Sequence, residues 1–146
     1  MPAVSESGVV IRASRPNELT EVLELWRESR GRSGKSDDLA SLGALIERDR
    51  ESLVVAELDG RIVGSLIAAW DGWRGNMYRL TVDPSCRRRG IARQLVAAGE
   101  DRLRTLGAKR LSALVWREDG RAVRAWVSAG YEHEEGTGRF VKTLAE

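Results

Sequence analysis

The first 50 residues alternate apolar and polar positions in a way that predicts one strand and two helices. The run VVIRA at 9–13 has the length and β-branched content of a short strand. Apolar residues then recur three and four positions apart, as on one face of a helix, and Asn17 is a candidate N-cap. That face consists of Leu19, Val22, Leu23 and Trp26. A polar loop at 31–38 precedes a second amphipathic helix at 39–48.

An antiparallel sheet is predicted from residue 52 onward. Two apolar runs, SLVVAEL at 52–58 and RIVGSLIAAW at 61–70, flank Asp59-Gly60, a dipeptide typical of tight hairpin turns. A second turn, DGWRG, leads into a third strand, NMYRLTV at 76–82. Three consecutive strands joined by short turns are expected to pair antiparallel.

Helices and strands alternate in the last third of the chain. Apolar or small residues spaced four, four, four and three apart predict a long helix over 91–106 that stops at Gly107. The run RLSALVW at 110–116 predicts a buried strand, and residues 119–130 predict a short helix. GRFVKTL at 138–144 is predicted to form the last strand.

Length and composition indicate one globular domain over residues 1–146. The chain is 42% hydrophobic and 32% charged, and its formal net charge is only +2. So small an excess of positive charge gives no reason to expect nucleic acid or a membrane surface as a partner. There is neither an apolar run long enough to span a membrane nor a secretory signal core, so a cytoplasmic location is expected.

The scarcity of cysteine and histidine excludes several kinds of chemistry. Cys86 and His133 are the only residues of their types, so an internal disulfide is impossible and no zinc site is expected. A Ser-His-Asp or Cys-His mechanism would have to use His133, which lies in a charged stretch and is interpreted as a surface residue. Cys86 is interpreted as a small buried filler rather than a nucleophile.

The segment VDPSCRRRGIARQLV at 82–96 has the features of an anion site. The first turn of a helix has N–H groups without intrahelical partners, and the helix dipole makes that end positive. Gly90 stands where the long helix begins and would let a phosphate approach the main chain, and Ala92 is nearly as small. Positive charge is supplied by Arg87, Arg88, Arg89 and Arg93. A phosphate or pyrophosphate is the expected ligand; the alternative is a solvated helix entrance.

The spacing in this segment excludes two widespread phosphate-binding motifs and matches a third. The motifs G-x-x-x-x-G-K-[ST] and G-x-G-x-x-G are both absent. What is present is R-x-x-G-x-A, formed by Arg87, Gly90 and Ala92 after a strand and Asp83-Pro84. In this the chain resembles the GNAT superfamily of acyl-CoA-dependent N-acetyltransferases, whose pyrophosphate loop is Q/R-x-x-G-x-G/A between the fourth strand and a long helix.

A second block supports this resemblance. AVRAWVSAGY at 122–131 looks like the family's second conserved block, a helix that ends in Gly-Phe or Gly-Tyr. Over 52–144 the chain is similar to small single-domain bacterial members of this family. The first 50 residues, which shape the acceptor site in the family, are only compatible with membership. The resemblance implies an α/β fold with a mixed, mostly antiparallel twisted sheet flanked by helices. That sheet would splay between its fourth and fifth strands to admit acetyl-CoA.

The resemblance also implies roles for individual residues. Main-chain groups in 80–82 would hold the pantetheine arm and the thioester carbonyl, and the N–H of Val82 would stabilise the oxygen as it gains negative charge. Backbone groups in 88–93 would bind the pyrophosphate. The implied cofactor contacts are Leu80, Thr81, Val82, Arg87, Arg88, Arg89, Gly90, Ile91, Ala92, Arg93, Asp119 and Trp126.

Two positions depart from the family's usual pattern. Arg79 stands where many relatives have an acidic residue, and Trp126 stands where many have a tyrosine that acts as acid. An indole N–H donates a hydrogen bond but supplies no proton at neutral pH, and core packing is the favoured interpretation of Trp126. The remaining candidates are Tyr78 and Tyr131 as acids, and Asp71 and Glu57 as bases acting through water.

The implied activity is transfer of an acetyl group from acetyl-CoA to a primary amine of a small molecule or peptide, without a metal. The departures at Arg79 and Trp126 motivate an alternative, a non-catalytic acyl-CoA-binding module. Relatives often form dimers, so a homodimer is an open expectation. Asp119 either lies near the pantetheine or caps the following helix. Trp70 and Trp73 either line an acceptor pocket or pack on their hairpin, whereas core positions are expected for Trp26 and Trp116.

Overall fold

The computed structural model describes residues 3–4, 8–30 and 34–144. The strands are β1 (Ala3–Val4), β2 (Val10–Ala13), β3 (Leu53–Leu58), β4 (Arg61–Trp70), β5 (Gly75–Val82) and β6 (Leu111–Ala113). The helices are α1 (Leu19–Arg30), α2 (Leu39–Arg48), α3 (Ile91–Leu106) and α4 (Gly120–Ser128). The chain divides into two compact units, Met1–Val115 and Trp116–Glu146. None of the described helices combines the length and the apolar character needed to cross a bilayer.

The first unit contains a sheet whose six described strands lie side by side in chain order. All neighbours pair antiparallel except β5 and β6, which are parallel and are joined through α3. A parallel pair needs such a crossover, whereas β3 and β4 meet in a two-residue turn at Asp59-Gly60, with φ of 51° and 78°. The predicted hairpin, the antiparallel meander and the mixed sheet are confirmed. The short strand β1 was not predicted.

Helices α1 and α2 bury their apolar sides on one face of the sheet. The shared core consists of Leu19, Val22, Leu25, Trp26, Leu42, Ile46, Leu53, Val55, Ile62 and Ile67. The prediction that Asn17 caps the first helix is wrong, because Asn17 lies inside a 3-10 turn at Pro16–Glu18. There the carboxylate of Glu18 accepts the N–H of Arg15 at 2.7 Å instead. Of the predicted loop between these helices, residues 31–33 lie outside the described part.

Helix α3 packs on the face of the sheet opposite to α1 and α2. Successive strand residues point to opposite sides, so Leu66 and Ala68 of β4 face α3, whereas Ile67 belongs to the α1–α2 core. The glycine of α3 at position 99 lies against Leu66, Ala68 and Met77, and a Cβ there would stand 2.9 Å from a methyl group of Leu66. The missing side chain therefore lets the helix approach the sheet closely. Gly107, with φ of 109°, ends α3 as the sequence predicts.

The sheet opens between β5 and β6. Strand β6 pairs only with Gly75–Met77 of β5, and one further hydrogen bond joins the N–H of Leu114 to the carbonyl of Met77 at 3.3 Å. Strand β5 continues to Val82, so its edge over 78–82 has no neighbouring strand on that side among the described residues. The splay expected between the fourth and fifth strands is confirmed. In the present numbering these strands are β5 and β6, because the short strand β1 precedes the predicted ones.

The second unit contains α4 and departs from two predictions. No strand forms at 138–144, where Phe140 is 97% exposed, because strand propensity produces a strand only where a partner completes the backbone ladder. The expected core position of Trp116 is also wrong, since this side chain is 54% exposed. The strand predicted at 110–116 ends early, at Ala113. Trp116 is therefore not part of the strand, and the alternation of buried and exposed strand positions does not extend to it.

Candidate active site

The open half of β5 contains a β-bulge centred on Arg79. Ser65 of β4 pairs with Thr81 and Ile67 pairs with Tyr78, so the single residue between them on β4 faces two residues on β5. Arg79 adopts φ of 59°, in the left-handed region that residues with a Cβ rarely occupy. A bulge bends its strand and changes the direction of the following main-chain groups. The N–H and C=O groups that follow are those of 80–82.

A buried hydrogen-bond chain fixes the main chain at this bulge. The indole N–H of Trp26 donates to the hydroxyl of Ser65 at 2.7 Å, and that hydroxyl donates to the carbonyl of Arg79 at 3.1 Å. The hydroxyl of Thr81 donates to the same carbonyl at 3.3 Å. Ser65 is fully buried, and Trp26 and Thr81 are 2% and 5% exposed. Water therefore does not compete for these bonds.

The side chain of Arg79 is held on the α1–α2 face of the sheet. Its Nε donates to Oδ1 of Asp37 at 3.0 Å, and its Nη2 forms an ion pair with the same oxygen at 2.9 Å. The other oxygen of Asp37 accepts the N–H of Gly34 at 2.8 Å. The guanidinium carbon lies 5.8 Å from the centre of the Trp26 ring. The position that is acidic in many relatives thus carries a cation that is already paired with a carboxylate from the segment before α2.

The turn after β5 is organised by Asp83. Its carboxylate accepts the N–H and the hydroxyl of Ser85 at 2.9 and 2.8 Å, and its carbonyl accepts the N–H of Cys86 at 2.8 Å. The N–H of Ser85 contributes most to lowering the pKa of Asp83, followed by the Ser85 hydroxyl, with weaker effects from Arg61 and Arg87. Cys86 is 4% exposed, which confirms its interpretation as a buried filler. Asp83 therefore holds both residues that follow Pro84 in this turn.

The start of α3 presents backbone N–H groups and positive charge to solvent. Arg88 and Gly90 adopt φ of 67° and 74°, and Gly90 is the N-cap residue. The N–H of Gln94 donates to the carbonyl of Gly90 at 3.1 Å, whereas the three preceding helical N–H groups lack intrahelical acceptors. Arg88, Arg89 and Gly90 are exposed. Aligned N–H groups beside exposed cations favour an anion of phosphate type.

The predicted site residues of the second unit have contacts of their own. The carboxylate of Asp119 accepts the N–H of Ala122 at 3.1 Å, so Asp119 caps α4. Trp126 is 6% exposed, and its ring lies edge-on to Tyr131 with centroids 4.8 Å apart. The favoured interpretation of Trp126 as a packed residue is confirmed. The roles of Asp119, Trp126 and Tyr131 toward acetyl-CoA stay predictions.

The remaining acid and base candidates are engaged elsewhere in the first unit. Tyr78 packs partly buried against the α1–α2 core. Glu57 accepts two hydrogen bonds from Arg12, at 3.0 and 2.7 Å. Asp71 accepts the N–H groups of Trp73 and Arg74, which lower the pKa of its carboxyl group. Glu57 and Asp71 are therefore held by other groups, whereas Tyr78 lies on β5 two residues before Leu80.

Trp70, which ends β4, and Trp73, in the β4–β5 turn, lie near the end of β5 that pairs with β6. This turn precedes Gly75, and Val82 is seven residues further along, a strand length of about 23 Å. Trp73 is 72% exposed, and the guanidinium of Arg74 lies 4.3 Å from the centre of its ring. Trp70 and Trp73 line a pocket together with Arg74, Leu106 and Arg110, and whether that pocket takes an acceptor stays a prediction.

Three residues of the bulge network were not predicted from the sequence. Ser65 is the one polar side chain in the middle of an apolar strand, and that contrast was the available signal. Asp37 and Gly34 gave none, because Asp37 is 42 positions from Arg79 and lies in a polar loop. A pairing of that kind depends on how α1 and α2 pack, which no local pattern reveals.

Known proteins resemble the chain in sequence. The model of the acetyltransferase (GNAT) family matches residues 19–131. An acetyltransferase of Sodalis glossinidius is 29% identical over 136 residues, covering 93% of this chain and 96% of that protein. An acetyltransferase of Yersinia enterocolitica is 35% identical over 113 residues, covering 77% of this chain and 79% of its own length.

Solved structures share the fold. The aminoglycoside N-acetyltransferase AAC(6')-Iy in complex with CoA has a TM-score of 0.78 at 20% identity, covering 98% of this chain and 99% of that one. Diaminobutyrate acetyltransferase EctA from Paenibacillus lautus, in complex with L-2,4-diaminobutyric acid and coenzyme A, has a TM-score of 0.70 at 21% identity. It covers 84% of this chain, and 74% of its own length is matched. The family match over most of the chain shows that this protein belongs to the acetyltransferase (GNAT) family and is an acyltransferase.

Proposed function

We propose that this protein transfers an acetyl group from acetyl-CoA to a primary amine of a small molecule or peptide. The observation that carries the proposal is the course of β5. This strand parts from β6 after Met77, bulges at Arg79 and leads through the Asp83 turn to the start of α3 at Ile91. An open strand edge and a candidate anion site thus follow each other along one short segment.

The residues of this segment fit the two ends of an acyl-CoA. Main-chain groups of Leu80, Thr81 and Val82 would hold the pantetheine arm and the thioester. The pyrophosphate would take the N–H groups at 88–93, where Gly90 adds no side-chain bulk and has no atom within 4 Å of a Cβ placed on it. Its charge would be met by Arg87, Arg88, Arg89 and Arg93, for which no ion pair is found within the described ranges.

The chemistry of the transfer sets what the chain must supply. Bound acetyl-CoA supplies an activated acetyl group, and in the reaction a carbon–nitrogen bond forms, the carbon–sulfur bond breaks and the amine loses one proton. The N–H of Val82 would donate to the carbonyl oxygen as that oxygen gains negative charge. The amine must be neutral to attack, and water is the proton acceptor that we propose, because Asp71 and Glu57 are held by other groups.

Amine acceptors are supported by what the structural neighbours act on. One neighbour is an aminoglycoside N-acetyltransferase and another is a diaminobutyrate acetyltransferase crystallised with its amine substrate. A non-catalytic acyl-CoA-binding module is the second candidate, because Arg79 stands where many relatives have an acidic residue and is paired with Asp37, and Trp126 stands where many have a tyrosine. A cytoplasmic location is a further expectation from the sequence, and a homodimer is a further expectation from the resemblance. Sedimentation at several protein concentrations tests the dimer.

Two measurements test the proposal together. Calorimetry with acetyl-CoA measures binding, and release of free thiol measures turnover with a panel of amines that includes aminoglycosides, diamino acids, polyamines and peptides. We expect micromolar binding and amine-dependent thiol release. Binding without turnover on any amine would favour the module, and absence of binding would overturn both candidates.

A further inference from the structure

We propose that Asp37 is a positioning residue for the transfer reaction, acting through Arg79. By holding the guanidinium of Arg79, Asp37 keeps the β5 bulge in the conformation that sets the direction of the main-chain groups of 80–82. The inference rests on the proposed function for its kinetic consequences, and on the structure alone for its effect on the bulge.

The bulge needs support because Arg79 adopts an unfavourable backbone conformation. With φ of 59°, its Cβ is crowded by its own main chain, a conformation in which arginine is rare and glycine is common. Left unsupported, such a residue would return to the extended region and the two-against-one pairing opposite Leu66 would shift. Each contact that requires the observed conformation therefore helps to fix the direction in which the N–H groups of 80–82 point.

Two separate sets of contacts hold this residue. The main chain is held through its carbonyl, which accepts the hydroxyls of Ser65 and Thr81. The side chain is held by Asp37, through a hydrogen bond from Nε and an ion pair of Nη2 with the same carboxylate oxygen, and the guanidinium carbon also lies 5.8 Å from the centre of the Trp26 ring. Both members of this pair are largely shielded, with side-chain exposures of 25% for Arg79 and 9% for Asp37. A shielded, hydrogen-bonded ion pair fixes geometry better than an exposed one.

The segment before α2 is built to receive this guanidinium. Gly34 donates its N–H to the second oxygen of Asp37, which fixes the carboxylate. A Cβ at Gly34 would stand 2.6 Å from Nη2 of Arg79, so any other residue there would require the guanidinium to move. Asp37 therefore links the segment before α2 to the strand that is proposed to carry the reaction.

Kinetics of three variants test this link. In Asp37→Asn we expect kcat to fall at least about tenfold, because N–H groups of 80–82 that point in the wrong direction stabilise the transition state less well. The KM for acetyl-CoA should stay within about twofold of the wild-type value. Arg79→Ala should lose as much, since alanine keeps the strained φ without the side-chain contact. Arg79→Gly should retain more activity than Arg79→Ala, because glycine adopts this φ without strain. Adding Asp37→Asn to Arg79→Gly should cost nothing further, since the guanidinium is gone.

Asp49→Asn is the matched control for general loss of an ion pair. Asp49 pairs with Arg102, whose Nε also donates to the carbonyl of Ala68, and neither residue contacts the bulge. This variant should lose stability while its kcat, measured where it is folded, stays at the wild-type value. An unchanged kcat in Asp37→Asn would overturn the inference, and so would an equal loss in Asp37→Asn whether residue 79 is arginine or glycine.

A structural measurement separates failure of this inference from failure of the proposed function. Backbone amide NMR signals of Leu80, Thr81 and Val82 should shift in Asp37→Asn and stay in place in Asp49→Asn. If the wild-type protein binds acetyl-CoA without turnover, the proposed function fails while these shifts still support the role of Asp37 at the bulge. Unmoved signals overturn that role whatever the activity is.

Discussion

The indole N–H of Trp26 donates to the hydroxyl of Ser65 at 2.7 Å, which ties α1 to β4 inside the core. The same hydroxyl donates to the carbonyl of Arg79 on β5 at 3.1 Å. One serine therefore accepts from one element and donates to another, with no exposed surface. Because both bonds are buried, removing the hydroxyl would leave an indole N–H and a main-chain carbonyl without this partner.

We expect Ser65→Ala to lower the free energy of unfolding by about 1–3 kcal/mol, since it leaves the buried N–H of Trp26 without its acceptor. Urea unfolding measures the change. Ser128→Ala is the control, because the Ser128 hydroxyl also donates to a main-chain carbonyl, at 3.0 Å, but is exposed. It should stay within about 0.5 kcal/mol of the wild type. A Ser65→Ala protein as stable as this control would contradict the structural role given to the Trp26 bond.

Local patterns in the sequence predicted most of the fold because the responsible interactions are local. The Asp59-Gly60 turn needs two residues of positive φ, and Gly107 ends α3 in the same way. The start of α3 at Gly90 was predicted for the same reason, since the motif and the helix that it begins are contiguous. The apolar spacing of α1 and α2 follows from helix periodicity, which a buried face imposes on the chain.

The features that the sequence did not reveal depend on residues far apart in the chain. The pairing of Asp37 with Arg79 and the bond from Trp26 to Ser65 join positions 42 and 39 residues apart. The strand predicted at 138–144 failed for a related reason, because its composition suits a strand but a ladder requires a partner. The bulge likewise arises from how two strands pair and has no signature within either strand.

We expect Gly90→Glu to abolish acetyl-CoA binding while the protein stays folded. The new side chain would place negative charge and bulk where the N–H groups of α3 are exposed to the pyrophosphate. Gly90→Ala is the control, because it brings the same strain at φ of 74° without the charge. It should weaken binding only partly. Calorimetric titration with acetyl-CoA measures both variants, and wild-type affinity in Gly90→Glu would show that this loop is not the pyrophosphate site.

We expect Glu18 to contribute stability that depends on pH. Both its oxygens accept from the guanidinium of Arg12, at 2.8 and 2.6 Å, and this contact is the main reason that the pKa of Glu18 lies below its usual 4.5. A lowered pKa means that the folded state favours the ionised carboxylate. The contribution is therefore fully present above pH 4.5 and is lost as the pH falls through the pKa of the folded state.

Urea unfolding of Glu18→Gln across a pH series tests this dependence. At neutral pH the variant should be less stable than the wild type, and the difference should shrink as the pH is lowered from 4.5. Glu24→Gln, at an exposed position on α1, should show little difference at any pH. A difference between Glu18→Gln and the wild type that stays constant down to acidic pH would show that the charge of Glu18 is not its source.

The last prediction concerns the proton on the leaving sulfur, because Trp126 occupies the position where many relatives have a tyrosine. An indole N–H cannot protonate a thiolate at neutral pH, and the low pKa of a thiol lets it leave unprotonated. We therefore expect kcat/KM to rise with pH as the acceptor amine loses its proton and then to reach a plateau near the pKa of that amine. Steady-state thiol release over a pH series measures this profile.

Variants at the aromatic positions decide whether an acid takes part. Trp126→Phe should keep most of the activity and the same plateau, because it removes one weak donor and part of a packed ring against Tyr131. A decline of the rate at high pH would instead report a required acid, and its loss in Tyr78→Phe or Tyr131→Phe would identify the residue. If the wild-type profile declines and Trp126→Phe alone converts it to a plateau, then Trp126 organises an acid and the proposed unassisted departure of the thiolate is wrong.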